Sequence, residues 1–144
     1  MNAADLMTES LAAAAEAGWE IREPLFTRFF KAFPKRRAAF LVPQASSIRM
    51  TDETLQIMLG LAEGADWVWP QIADIVFTHR AYGPLPIAEY DAFIDMTVKE
   101  LARAVGASWS AAHQQAWQTQ ADVLKQKIRD ARREWAAGAF GNDV

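Results

Sequence analysis

Histidine is scarce in this chain: His79 and His113 are the only two among 144 residues, and cysteine is absent. A borderline or soft metal would therefore depend almost entirely on His79. One imidazole cannot hold a bare zinc ion, which takes three or four protein ligands. One imidazole is enough for a haem iron, whose equatorial ligands come from the porphyrin. The run from Trp67 to His79 reads as a short amphipathic helix ending on that histidine. The corner Tyr82-Gly83-Pro84-Leu85-Pro86 then stops it. His79 is thus a haem-ligand candidate on ligand arithmetic alone, while His113 reads as an exposed residue near the start of the last helix.

Other chemistries find little footing. No Gly-rich phosphate loop is present, and neither histidine sits in a hydrolase motif. Glu89, Asp91 and Asp95 read as the wet side of a helix. The short basic run Lys35-Arg36-Arg37 reads as a solvated turn.

The elements that must position His79 are helical throughout. Leu6 to Ala17 is a strong helix former, rich in alanine. Pro24 suits a first turn, and Leu25, Phe26, Phe29, Phe30 and Phe33 then make an aromatic stripe. Phe33-Pro34 ends that helix and opens a short tight one through Phe40. Pro43 to Ser47 reads as a corner, followed by a helix from about Ser47 through Ala62. Pro86 opens a helix running to Gly106, and Ser110 is an N-cap candidate for a last helix ending near Trp135. Residues 1–5 and 136–144 read as frayed ends of a single domain covering 1–144.

Composition agrees with one globular all-α domain, at 51% hydrophobic and 23% charged residues. A net charge of −3 gives no nucleic-acid footprint. No basic-then-apolar leader opens the chain, no window is apolar enough for a bilayer span, and no disulfide can form. These features predict a soluble, cytoplasmic protein, either a monomer or a homodimer.

Four places in the chain resemble the globin family, most closely bacterial single-domain globins and the haem domain of flavohaemoglobins. Phe26-Thr27-Arg28-Phe29-Phe30-Lys31-Ala32-Phe33-Pro34, with Phe40 after it, is similar to the family's second helix, its Phe-Pro turn and its haem-facing phenylalanine. His79 stands at the position of the proximal ligand. His79-Arg80-Ala81-Tyr82-Gly83 with Tyr90 resembles the corner and the tyrosine that follow it. Gly106-Ala107-Ser108-Trp109 and Ala116-Trp117 match the glycine–tryptophan turn and the alanine–tryptophan pair of the last helix.

The resemblance implies a globin-like fold of seven to eight helices around a pocket for haem b. His79 would be the iron ligand, and Phe40 would stack on the porphyrin. Ile75, Tyr90, Phe93, Thr97 and Val123 would line the pocket, and Arg49 or Arg80 would pair with a propionate. Phe26 stands where many oxygen-handling relatives carry a ligand-binding tyrosine, and it lacks the hydroxyl. The distal position falls on Ser47, or on Met50 or Thr51 with a small shift. Met50 is also a candidate for an internal sixth ligand. The glutamate by which relatives orient the proximal imidazole aligns to Arg132.

A donor hydrogen bond to an oxygen ligand in a dry pocket contributes roughly 1–3 kcal/mol. A donor-poor distal side therefore predicts weak oxygen binding relative to CO or NO. The function expected is reversible binding of a diatomic gas, with redox turnover such as NO dioxygenation only if an external reductase supplies electrons. The alternative is a cofactor-free globin-like sensor or protein-interaction module.

Overall fold

A computed structural model describes residues 1–83 and 85–137. Among these residues every regular element is helical: α1 (Ala3–Glu16), α2 (Arg22–Ala32), α3 (Pro43–Glu63), α4 (Val68–His79), α5 (Ile87–Val105) and α6 (Ala111–Ala136). Three 3-10 segments join them, at Pro34–Ala39, Arg80–Tyr82 and Gly106–Ser108. None of these helices is long and apolar enough to cross a membrane.

The ends and corners follow from local chemistry. Asn2 caps α1 by accepting from the Asp5 amide at 2.8 Å, so the helix already holds at Ala3, where fraying was expected. Of the other expected frayed segment, residues 138–144 lie outside the described residues. Helix α3 begins at Pro43 and not near Ser47, because a proline in the first turn has no amide hydrogen to satisfy. Ser110 caps α6, as its residue type predicts.

Helix α6 is the spine, packed against α1, α3, α4 and α5. Its buried face repeats at helical spacing through Trp117, Ala121, Leu124, Ile128 and Ala131. Trp117 is fully buried, and its indole N–H donates to Ser10 Oγ at 2.8 Å, which ties α6 to α1. A second, aromatic cluster joins α2 to α5 through Phe26, Phe29 and Phe93. The rings of Phe26 and Phe93 meet edge to face at 5.5 Å.

Helices α3 and α4 approach closely at Gly60, which is buried. A Cβ there would lie 2.6 Å from Val68 Cγ2 and 2.7 Å from the Trp67 ring. Glycine at this position lets the two helices approach closely, and residues of both line a cleft that reaches His79.

Candidate functional site

The cleft lies between α3 and α4, with α5 and α6 forming its floor, and has a volume of about 300 Å³. Volumes of this order are at the small end of the range for ligand sites. Helix α4 serves two neighbours with two stripes. Val68 and Val76 face the core, while Gln71, Asp74, Ile75, Thr78 and His79 line the cleft and the buried Ile72 borders both. Leu124 and Ile128 of α6 close the cleft from below.

His79 is half-buried at the end of α4. Its Nδ1–H donates to the carbonyl oxygen of Ile75 at 2.8 Å. A carbonyl can only accept, so this contact fixes the neutral tautomer and leaves the lone pair on Nε2. Nε2 has no hydrogen-bond partner among the described residues. Burial pulls the His79 pKa below the usual imidazole value; the Ile75 hydrogen bond opposes this and the charge of Arg49 adds to it. The ring is therefore held neutral, with one nitrogen available as a ligand. Tyr90 packs edge-on against it at 5.6 Å. The Tyr90 phenol is pushed up to about 12 by burial, with Arg132 pulling the other way.

Six of the eleven sequence candidates meet at this cleft: Phe40, Met50, Ile75, His79, Tyr90 and Phe93. The other five lie elsewhere. Phe26 is buried behind Phe40, with ring centres 5.6 Å apart. Ser47 turns its hydroxyl onto the Gln44 carbonyl at 2.9 Å. Thr51 is fully buried, with Oγ1 unpartnered among the described residues. Thr97 is buried and donates to Phe93 O at 2.7 Å. Val123 is half-buried one position before Leu124, and Leu124 is the residue that lines the floor.

The misplacements on α3 share a cause. The cleft stripe there is Ser46, Arg49, Met50, Glu53, Thr54 and Ile57, at helical spacing. Ser47 and Thr51 each follow a stripe residue by one position, a rotation of about 100° away from the wall. Once Met50 is taken as a wall residue, steps of three, four and seven positions give Glu53, Thr54 and Ile57, while Arg49 widens the stripe from its flank. The α3 wall therefore carries donors that the sequence reading assigned elsewhere or passed over. Thr54 spends its hydroxyl hydrogen on Met50 O at 2.7 Å, which leaves Ser46 and Arg49 as the α3 donors facing the cleft. Arg49 is only loosely paired with Glu53, at 4.0 Å.

Of the carboxylates expected on a wet face of α5, Asp95 is exposed as expected and Glu89 and Asp91 are half-buried, and all three bridge to other elements. Glu89 accepts from Arg36, Asp91 from Arg129, and Asp95 pairs with Lys125. Arg36, expected in a solvated turn, thereby closes one edge of the cleft. Arg80 lies outside the cleft wall, over the rings of Phe77 and Trp135.

His113, expected to be exposed, is buried. Its Nδ1 accepts the Ser110 backbone N–H at 2.9 Å, and its Nε2 contacts Glu9 at 2.7 Å. Serine, histidine and glutamate thus meet, yet the pattern is a reciprocal helix cap. The lone pair a general base would use is already taken by a backbone amide. No group of three or more His, Cys, Asp or Glu side chains among the described residues could hold a metal ion.

Comparison with family models, with curated proteins and with solved structures gave no match to this chain.

Proposed function

We propose that the chain has a globin-like fold and that its cleft holds haem b through Nε2 of His79, in a protein that binds a diatomic gas. The observation that carries this reading is the Ile75 contact, which orients the ring through Nδ1 and turns Nε2 away from that bond, with no hydrogen-bond partner for Nε2 among the described residues. A ligating histidine is commonly oriented in this way, through its other ring nitrogen. The donor set also fits. Phe40, Ile57, Ile75, Phe93, Leu124 and Ile128 give apolar walls for a flat hydrophobic ring. Arg49, largely exposed at the cleft edge, suits a carboxylate on the ring's periphery.

When bound, haem supplies an iron with an open coordination position for O2, CO or NO. The chain's own residues would set the ligand preference. Met50 and Ile57 give the α3 wall its apolar part, and Ser46 and Arg49 are the donors on it, beside Glu53 and Thr54. Phe26 brings no hydroxyl to the wall from α2, since it lies in the aromatic cluster.

Absorption spectra of the ferric, ferrous and CO-bound protein test the reading. Red protein with an intense Soret band, lost in His79→Ala, is the expected result. Colourless protein that also refuses added haemin would leave the cofactor-free module as the function of this fold.

A further inference from the structure

A second pocket, of about 370 Å³, adjoins the cleft and shares His79, Leu85 and Tyr90 with it. The rest of its wall includes Val76, Arg80, Arg132 and Trp135, so among the described residues it carries two guanidinium groups and no carboxylate. That imbalance is unusual for this protein. Arg22, Arg28, Arg36, Arg49, Arg103, Arg129 and Arg133 all lie within ion-pairing distance of an acidic side chain. Arg37, Arg80 and Arg132 have no such partner among the described residues, and the last two meet at one pocket.

Both guanidiniums are held in place by other means. Arg80 lies 5.1 Å from the Phe77 ring centre and 5.9 Å from that of Trp135, and those two rings stack at 4.7 Å. Arg132 donates from Nη1 to the Leu85 carbonyl oxygen, and its other N–H groups have no hydrogen-bond partner among the described residues. The Tyr90 hydroxyl, a hydrogen-bond donor, belongs to a residue of the same pocket wall and has no hydrogen-bond partner among the described residues. Fixed donors of one charge beside the apolar surfaces of Val76, Leu85 and Trp135 make a site with a charged and an oily part.

We infer that this pocket binds a small organic carboxylate, with its carboxyl group on Arg132, Arg80 and Tyr90 and its apolar body against Val76 and Leu85. A planar guanidinium pairs with a carboxylate through two parallel hydrogen bonds. The apolar walls favour an acid with a hydrocarbon body over a bare inorganic anion. The inference goes beyond the haem reading and does not depend on it, because no member of the clamp needs the main cleft filled.

Titration of the purified protein with sodium benzoate at constant ionic strength, followed by 15N NMR, tests it. Saturable shifts centred on the amides of Leu85 and Ala136 are expected. Arg132→Gln and the exposed Arg80→Gln should each weaken binding about tenfold, the effect of losing one charge-assisted pair. Arg37→Gln, at an arginine stacked on Phe30 elsewhere, should leave it unchanged. Benzyl alcohol and inorganic phosphate should bind more weakly than benzoate. Phosphate binding as tightly as benzoate, undiminished affinity in both site variants, or shifts confined to cleft residues such as Met50 would overturn the assignment. Arg80→Gln removes no backbone contact, so a folding defect in Arg132→Gln does not block the test.

Discussion

Arg36 donates from Nε to both carboxylate oxygens of Glu89, at 2.8 and 2.9 Å, and so joins the 3-10 segment after α2 to the first turn of α5. Both residues line the cleft. A charge-assisted bond with little exposure on the acid side is worth more than a surface pair. Arg36→Ala and Glu89→Gln should each cost about 1–2 kcal/mol. The double variant should cost clearly less than the sum, since one interaction is removed in all three. Urea unfolding of the four proteins measures the coupling, and strict additivity would show the pair to be energetically idle.

Gly60 sets how closely the two cleft walls converge, so Gly60→Ala forces Val68 and Trp67 to move. Val68 is buried and has little room to give way. A loss of about 1–3 kcal/mol is expected from overpacking of this kind. Adding Val68→Ala should restore part of it by removing the nearer of the two contacts. A thermal midpoint for Gly60→Ala equal to that of the parent would mean that α3 and α4 can separate without penalty.

The helices were legible because their signals are local. Alanine content, the aromatic stripe of α2 and the capping serine at Ser110 each act within a few residues. His79 was legible because so few other ligands exist. The cleft face of α3 was not, since Thr51 belongs with Leu55 and Met58 on the stripe buried in the core, and which neighbouring stripe meets α4 depends on tertiary packing. His113 misled for a different reason: its partner Glu9 lies 104 residues away, beyond any local pattern. The ion pairs of Glu89, Asp91 and Asp95 are equally long-range, and a run of acids at helical spacing looks the same whether solvated or bridged.

Burial of the His79 ring has a consequence for pH. In haem-free protein the folded state resists the imidazolium, while the unfolded chain takes the proton near pH 6.5. Stability is therefore intact above about pH 6.5 and falls as the pH drops below it. At the alkaline end Tyr90 acts in the opposite direction: stability holds below about pH 10 and declines as the pH rises towards 12. Thermal midpoints across both ranges should flatten on the acid side in His79→Leu and on the alkaline side in Tyr90→Phe. Unchanged slopes in the variants would assign the pH response to other groups.

The α3 stripe also sets an expectation for gas release under the proposed function. Ser47 is committed to Gln44 and Thr51 is buried off the wall, so neither hydroxyl can reach a ligand in the cleft. The double variant Ser47→Ala, Thr51→Ala should leave the oxygen dissociation rate within about twofold of the parent, since no hydrogen bond is lost. Ser46→Ala and Arg49→Leu remove the α3 donors that do line the cleft. If one of these bonds the ligand, its loss is worth about 1 kcal/mol or more, or about fivefold faster release. CO, which gains less from a donor, should respond less to either change. Stopped-flow dissociation on haem-loaded protein separates the two pairs of positions. Faster release from the Ser47/Thr51 variant, with Ser46→Ala and Arg49→Leu silent, would show that α3 turns a different face to the ligand.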